Sequence, residues 1–154
     1  MVARTKHFTD TIFYQIELTA RYTKMLGTQL FGKLAVGITI EEFSALDTIS
    51  SNVDLCQRDL AKLILKDRAN TGKLLDSLES KGLIKRELSI KNNRPVKILR
   101  ITSEGEKIYN ETYEKLEPHH EFVQEKIANT DLARVGELLR DLREVLEDTI
   151  DIDI

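Results

Sequence analysis

The side chains best suited to chemistry are cationic and amide groups in the middle of the chain. Arg68, Asn70 and Lys73 occupy one short stretch, and Arg94 follows in a polar segment. A guanidinium or an ammonium group binds phosphate or guanine, and an asparagine amide pairs with adenine through two hydrogen bonds. These residue types at this spacing indicate recognition of a nucleic acid.

The distribution of charge agrees with this interpretation, although the chain is acidic overall. Its formal net charge is −3, from 23 Lys and Arg against 26 Asp and Glu. Residues 56–100 hold twelve of the bases and five of the acids, so this segment carries +7 and the remainder −10. A basic segment between acidic flanks attracts phosphate while its flanks repel non-specific contacts. The alternative is that these cations only solvate helices, and charge alone does not separate the two.

The single cysteine, Cys56, offers redox chemistry but no internal disulfide. It stands at the predicted start of a helix, where a thiol ionises more readily to the reactive thiolate. Cys56, Gln57, Arg58 and Asp59 also keep the spacing of a capping box. Cys56 is therefore either a redox-sensitive site or a small residue in a cap position.

Enzymatic and metal chemistry are not indicated. His119 and His120 are neighbours, and on a helix their side chains point about 100° apart, so they do not easily share one ion. His7 is isolated. No phosphate-binding glycine loop and no nucleophile with a recognisable base is present. We therefore expect no catalytic residues, no bound metal and no cofactor.

Hydrophobic periodicity and capping residues predict the elements that position these groups. Residues 91–95 are expected to form a hairpin tip, and Pro118 is expected to kink the helix that contains it. Thr130 or Asp131 would cap the last helix. The predicted helices cover about residues 8–34, 39–49, 56–65, 67–81, 103–128 and 131–148, and the predicted strands about residues 53–55, 83–90 and 96–101.

This order of elements predicts a mainly α fold with a small β-hairpin wing. Two short helices followed by a basic hairpin form a winged helix-turn-helix, whose second helix fits the major groove of DNA. Residues 36–102 would be this DNA-binding lobe. Residues 1–35 and 103–154 would form a helical dimerisation region, because long amphipathic helices at both ends can bury their apolar stripes against a second copy. The alternative is a monomer in which these helices pack only within the chain.

The fourth predicted helix has two distinct faces. One face is apolar and would pack on the domain, whereas the other is small and polar near its start and would face DNA. The packed face contains Thr71, Leu74, Leu75 and Leu78, and the outer face contains Ala69, Gly72, Lys73, Asp76 and Ser80.

The central block resembles the multiple-antibiotic-resistance regulator (MarR) family. The strongest match is DRANTGKLLDSLESKGLIKR at residues 67–86, with further matches in QRDLA at residues 57–61 and LRIT at residues 99–102 before Gly105. The likeness extends over about residues 8–148, and the terminal helices match only in length and pattern. It implies a two-fold dimer that reads a pseudo-palindromic operator, most often as a repressor released by a small molecule or by oxidation.

The resemblance also implies which side chains contact DNA. Those at base-reading positions are Arg68, Ala69, Asn70 and Lys73, with Arg94 as the arginine of the wing. Members of the family usually carry an Asp before one or two basic residues in the wing, whereas this chain has Asn93, Arg94 and Pro95. That departure affects how the tip is supported and how deeply Arg94 enters the groove. Four further residues are assigned to the DNA-binding surface: Gln57, Arg58, Lys91 and Lys97.

An aromatic or phenolic effector is the ligand that the resemblance implies, in a pocket between the dimerisation helices and the DNA-binding lobe. Candidate lining residues are Tyr14, Arg21, Tyr22, Phe31 and Phe43. The alternative is that the aromatic residues belong to an ordinary core and that Arg21 is a surface charge.

No apolar run approaches the about 20 residues that span a bilayer, and residues 1–10 lack the apolar region of a secretory signal. We expect a cytoplasmic protein whose partners are double-stranded DNA and a second copy of itself, without membrane contact. The rival function is a winged-helix module that binds other proteins.

Overall fold

The computed structural model describes residues 7–127 and 131–150, and within these ranges it is mainly helical with one antiparallel hairpin. The chain divides into two compact units, residues 1–40 and residues 41–154, which are described separately. After a short 3-10 helix at Phe8–Asp10, the elements follow in chain order: α1 (Ile12–Leu34), α2 (Ile40–Ser51), α3 (Gln57–Leu63), α4 (Arg68–Ser80), β1 (Ile84–Lys91), β2 (Arg94–Ile101), α5 (Ser103–Lys126) and α6 (Leu132–Glu147). The predicted fold class is confirmed.

In the first unit, α1 begins four residues later than the hydrophobic pattern predicted. Thr11 interrupts the helix with an extended backbone, and its Oγ1 accepts a hydrogen bond from the backbone N–H of Tyr14 at 3.4 Å. Such a threonine satisfies one of the N–H groups that a helix leaves without a partner at its start.

The core of the second unit lies among α2, α3, α4 and the base of the hairpin. The helices contribute their predicted apolar faces, and the hairpin contributes the end remote from its tip. The buried apolar side chains in the described part of this unit are Ala45, Leu46, Ile49, Leu55, Leu60, Ala61, Leu74, Leu75, Leu78, Leu83, Ile84, Ile98, Leu99 and, in α5, Leu116.

The short strand predicted at residues 53–55 is not formed. Val53 and Asp54 lie in a turn, and Asp54 has a left-handed backbone, with φ at 58°. Leu55 O accepts from Leu99 N at 2.8 Å, and Cys56 forms an isolated bridge with Ile98. The link to the hairpin is therefore one residue long and lies at Cys56, where α3 is about to begin.

The hairpin tip is tighter than predicted. The strands pair as far as Lys91 opposite Arg94, so the turn consists of Asn92 and Asn93 alone. Both asparagines have positive φ, 52° and 58°. A two-residue turn of this type matches the twist of paired strands, and asparagine tolerates the left-handed backbone that it requires. The strands consequently include Lys91, Arg94 and Pro95, which were predicted to form the tip.

The two C-terminal helices begin at capping residues. The Oγ1 of Thr102 accepts from Gly105 N at 3.0 Å, and the carboxylate of Asp131 accepts from Arg134 N at 3.1 Å. Pro118 lies inside α5 and does not end it. The alternative cap Thr130 and the predicted helix end at Ala128 lie outside the described residues. Within the described ranges, no helix is long and apolar enough to cross a membrane.

Candidate nucleic-acid interface

The orientation of α4 follows from its cap and its buried face. The Asp67 carboxylate accepts from Asn70 N at 2.9 Å, and Gly82, with φ at 72°, follows the end of the helix as predicted. The backbone hydrogen bond from Asn70 is the main cause that lowers the pKa of Asp67. A cap that stays ionised also favours the positive end of the helix dipole. As predicted, the buried side chains of α4 are Thr71, Leu74, Leu75 and Leu78.

The opposite face of α4 presents the predicted base-reading residues together. Arg68, Ala69, Asn70 and Lys73 are all exposed and lie in the first two turns. Side chains near the start of a recognition helix are those that reach base edges in the major groove. This part of α4 therefore has both the shape and the hydrogen-bonding groups that groove recognition requires.

The amide of Asn70 is held in place by the cap. Its Nδ2 donates to Asp67 Oδ2 at 2.7 Å. A primary amide has two N–H donors and a carbonyl acceptor, so this bond leaves one donor and the acceptor for a partner. One donor and one acceptor are what a bidentate pair with adenine uses. The contact with Asp67 thus orients Asn70 without using up its capacity to read a base.

Gln57 occupies the contact between α3 and α4. Its Nε2 donates to the backbone carbonyl of Arg68 at 3.2 Å. A Cβ atom added at Gly72 would lie 3.2 Å from the same nitrogen, so the absence of a side chain at Gly72 makes room for the amide. The structure therefore gives Gln57, which was predicted to bind DNA, a packing role beneath the first turn of α4.

Beside α3, the hairpin forms a cleft with a basic lining. The cleft has a volume of about 510 Å³, and three of its lining residues are the predicted cations Arg58, Lys91 and Arg94. Lys97 is also exposed on β2, away from this cleft lining. The remaining lining residues are Cys56, Asn92, Pro95 and Val96.

Asp59, which the sequence indicated only as part of a capping box, binds Lys91, one of the cations that line this cleft. Lys91 Nζ lies 2.8 Å from Asp59 Oδ2, and this hydrogen bond is the largest cause that lowers the pKa of Asp59 to about 2. The same contact raises the pKa of Lys91. Lys91, predicted to lie near phosphate, is therefore held by α3. The capping-box spacing pointed to Asp59, but its partner lies 32 residues further along the chain.

Cys56 shares the carboxylate of Asp59. Its Sγ donates to Asp59 Oδ2 at 3.2 Å, and its backbone N–H donates to the same oxygen at 3.3 Å. Cys56 is half-buried at the N-cap position of α3, which agrees with the cap interpretation, and a redox role stays a prediction.

An unpredicted residue, Arg86, joins the hairpin to α4. Its guanidinium donates to Asp76 Oδ1 at 2.7 Å and lies 3.3 Å from Glu79 Oε2. The Arg86 side chain is only 17% exposed, so its charge is largely removed from water and is compensated by these two carboxylates. The root of the wing is thereby fixed to the outer face of α4.

The predicted effector-lining residues have varied surroundings. In the first unit, Phe31 is buried, Tyr22 is exposed and Arg21 forms an ion pair with Glu17. In the second unit, Phe43 stacks on Tyr109 with ring centroids 5.0 Å apart. Tyr14 makes an edge-to-face contact with Phe8.

Beside the stacked rings of Phe43 and Tyr109, the Asp47 carboxylate accepts a hydrogen bond. Tyr109 Oη donates to Asp47 Oδ1 at 2.6 Å, and this bond is the largest cause that raises the pKa of Tyr109 to about 12. Among the described residues, no group of three or more His, Cys, Asp or Glu side chains could hold a metal ion.

Comparison with known proteins relates this chain to DNA-binding regulators. The MarR family model matches residues 38–96. The chain is 28% identical over 108 residues to the HTH-type transcriptional regulator FarR of Neisseria gonorrhoeae, a match that covers 70% of this chain and 73% of FarR.

Solved structures with the same fold cover nearly the whole chain. The transcriptional regulator BldR of Sulfolobus solfataricus matches with 26% identity and a TM-score of 0.69, over 88% of this chain and 92% of BldR. MepR of S. aureus, in a complex with DNA, matches with 21% identity and a TM-score of 0.69, over 91% and 97%. The C80S mutant of MarR from E. coli, in a complex with operator DNA, matches with 23% identity and a TM-score of 0.70, over 92% and 99%.

Proposed function

We propose that this chain is a transcription regulator of the MarR family rather than an enzyme, and that it binds a pseudo-palindromic operator as a homodimer. In this proposal α4 enters the major groove and the hairpin enters the neighbouring minor groove. The observation that carries the proposal is the joint exposure of Arg68, Asn70 and Lys73 on the outer face of α4. Their buried counterparts on the same helix hold that face outward.

Base reading by α4 follows from the chemistry of its exposed groups. Arg68 and Lys73 supply cations for guanine or phosphate, Asn70 supplies a donor and an acceptor for adenine, and Ala69 supplies a methyl group for contact with thymine. Arg94, at the last strand pair before the turn, supplies a cation for a narrow minor groove, where negative potential is concentrated. Arg58 and Lys97 would contact the phosphates on either side.

The homodimer is supported by apolar surface that the described part of one chain leaves exposed. In α6 the apolar side chains recur at helical spacing, yet no residue of this helix is buried. An amphipathic helix of this kind gains stability when a second copy covers its apolar stripe. The exposed apolar side chains of the last two helices include Phe122, Val123, Val135, Leu138, Leu139, Val145 and Leu146, and Ile127 directly after α5 is exposed as well.

Regulation by a small aromatic or phenolic effector, and action as a cytoplasmic repressor, complete the proposal. The stacked rings of Phe43 and Tyr109 beside the Asp47 carboxylate show that the second unit holds aromatic groups next to a hydrogen-bonding group. A phenolic compound added to the operator complex would lower its affinity if it favours a form of the protein that does not fit DNA. Titration of the complex with such compounds tests this part separately.

The central experiment measures affinity for an operator and for unrelated DNA. The operator is the sequence that the wild-type protein enriches from a random duplex library, and binding is followed by fluorescence anisotropy across a salt series. We expect one dimer per site, resistance to competitor DNA and a steep salt dependence. The variant Lys73→Ala with Arg94→Ala should lose about 1–3 kcal/mol per base contact and should remain a dimer.

A matched control removes two lysines elsewhere. Lys107→Ala with Lys115→Ala deletes the same charge from exposed positions on α5, outside the proposed interface. It should leave the ratio of operator to competitor affinity unchanged. Equal losses of operator affinity in both double variants would show that Lys73 and Arg94 act only through general electrostatic attraction and not through base contacts. Failure of the intact wild-type dimer to bind any duplex at low salt would favour the protein-binding module instead.

A further inference from the structure

The hairpin is attached at two separate places to α3 and the two residues that precede it. At its root, Leu99 N donates to Leu55 O at 2.8 Å, and Cys56 forms a bridge with Ile98. Near its tip, Lys91 Nζ lies 2.8 Å from Asp59 Oδ2. A two-stranded ribbon held only at its root can swing about that root, because isolated hairpins have little stability of their own. The second attachment removes that freedom.

The attachment near the tip acts directly on the wing arginine. Lys91 and Arg94 are register partners, and they form the last pair before the two-residue turn. Since paired residues in an antiparallel ribbon have Cα atoms about 4.5–5.5 Å apart, restraining Lys91 also restrains the backbone of Arg94. The ion pair to Asp59 thus fixes the position from which the Arg94 side chain extends.

Asp59 is itself a rigid point of attachment. It lies in the first turn of α3, and its Oδ2 accepts from the Cys56 backbone N–H at 3.3 Å as well as from Lys91. The carboxylate is therefore oriented by its own helix before the lysine binds. The neighbouring Leu60 and Ala61 are fully buried, which anchors α3 in the core.

We propose that Asp59 is a positioning residue for DNA recognition, which holds Lys91 and thereby sets the place of Arg94 relative to the recognition helix α4. The inference rests on the proposed function and deepens it. It assigns an acidic residue within a basic surface a favourable part in binding DNA, and it assigns Lys91 to holding the wing rather than to contacting phosphate.

The sign of the effect distinguishes this proposal from simple electrostatics. Removing an acid beside DNA normally strengthens binding, because a repulsion between like charges is lost. If Asp59 positions the wing, Asp59→Asn should instead weaken specific binding while leaving non-specific binding equal or stronger. The ratio of the two affinities is therefore the informative quantity.

The test compares Asp59→Asn, Asp59→Glu, Lys91→Gln and the Asp59→Asn/Lys91→Gln double variant with the wild type. For Asp59→Asn and for Lys91→Gln, we expect the ratio of operator to random-duplex affinity to fall by about three- to fivefold. The double variant should lose no more than either single variant, because both remove the same contact. Asp59→Glu should recover part of the loss, since it keeps the charge.

Salt dependence separates positioning from phosphate contact. A lysine that neutralises a phosphate contributes about one to the slope of log affinity against log salt. Lys91→Gln should therefore leave this slope unchanged. Glu41→Gln serves as the control, because it breaks the 2.9 Å ion pair with Lys66, which includes no residue of the hairpin. It should change neither the affinity ratio nor the slope.

A measurement on the free protein keeps the inference testable without DNA. Amide hydrogen exchange at residues 92–94, followed by NMR, should be faster in Asp59→Asn and in Lys91→Gln than in the wild type, with the exchange of the α4 amides unchanged. Any one of three results would overturn the proposal. The first is unchanged exchange at the tip, and the second is an operator-to-random affinity ratio in Asp59→Asn that equals or exceeds that of the wild type. The third is a salt slope lowered by about one in Lys91→Gln. If the wild type discriminates no operator, the proposed function fails, and the exchange data still decide whether Asp59 holds the wing.

Discussion

The Lys81 ammonium lies 2.7 Å from Glu42 Oε2 and 2.9 Å from Oε1, and so it joins the end of α4 to α2. Glu42 is only 3% exposed, and its Oε1 also accepts from Ser77 Oγ at 2.6 Å. A buried carboxylate with these partners ties the C-terminal half of α4 to the core. The N-terminal half, with its predicted base-reading residues, is thus directed outward from a fixed support.

Replacement of Lys81 by Met should destabilise the second unit. The substitution keeps most of the aliphatic stem but removes the Lys81 ammonium from the buried Glu42 carboxylate, which costs about 1–3 kcal/mol. Urea unfolding followed by circular dichroism measures the loss. The control is Lys85→Met, which breaks an exposed pair with Glu87 and should cost less than about 0.5 kcal/mol. Equal losses in the free energy of unfolding for the two substitutions would show that the burial of Glu42 does not strengthen its ion pair with Lys81.

Two glycine-to-alanine substitutions should have opposite effects on stability. A Cβ atom at Gly105 would overlap the backbone carbonyl of Leu83 and would lie 2.8 Å from Ile101 Cγ1, so the α5 N-terminus would have to shift. At Gly136 in α6, no described atom lies within 4 Å of the added carbon. Alanine there should stabilise the helix by about 0.5–1 kcal/mol. Thermal unfolding should place the midpoint of Gly105→Ala below the wild type and that of Gly136→Ala above it.

Alkaline titration should reveal a late ionisation step that belongs to Tyr109. The hydrogen bond to Asp47 raises the folded-state pKa of Tyr109 to about 12, above its usual value near 10. The stability that this bond provides is therefore complete below pH about 10 and is lost as the pH rises towards 12. The absorbance change at the tyrosinate band should contain a late step that Tyr109→Phe abolishes.

Unfolding measurements supply the second readout for Tyr109. Between pH about 10 and 12, the free energy of unfolding should fall more in the wild type than in Tyr109→Phe. Tyr113→Phe, which removes a hydroxyl from the neighbouring ring 6.3 Å away, is the matched control and should retain the late step. A late step that survives in Tyr109→Phe would contradict the role of Asp47.

A charge on the apolar face of α6 should dissociate the proposed dimer. Leu138 is 56% exposed in the single chain, and a second copy would bury it. A lysine there would lose its hydration on association, so Leu138→Lys should sediment near 17.7 kDa rather than at twice that mass. Glu137→Lys, on the polar side of the same helix, should remain dimeric. A wild type that sediments as a monomer at micromolar concentration would exclude the homodimer.

Local signals in the sequence were sufficient for the elements and for the buried and exposed faces of α4. Asp67 and Gly82 bracket α4 because a cap and a left-handed residue act within one helical turn, and the spacing of Thr71, Leu74 and Leu78 identified the buried face. The hairpin was also predictable, although its tip proved to be two residues long. The twist of paired strands favours that shorter turn, and strand pairing is not visible in a list of polar residues.

Periodicity over a few helical turns was enough to predict the winged helix-turn-helix, the exposed groups of α4 and the amphipathic helices at both ends. The pairing of charges, in contrast, could be known only from the folded chain: Lys91 pairs with Asp59, Lys81 with Glu42, and Arg86 with Asp76. The two members of each pair are between 10 and 39 positions apart. Ion pairing depends on distance in space rather than on spacing along the chain. Which of the twelve basic residues between positions 56 and 100 pairs with a given acid therefore depends on the folded arrangement of α2, α3, α4 and the hairpin.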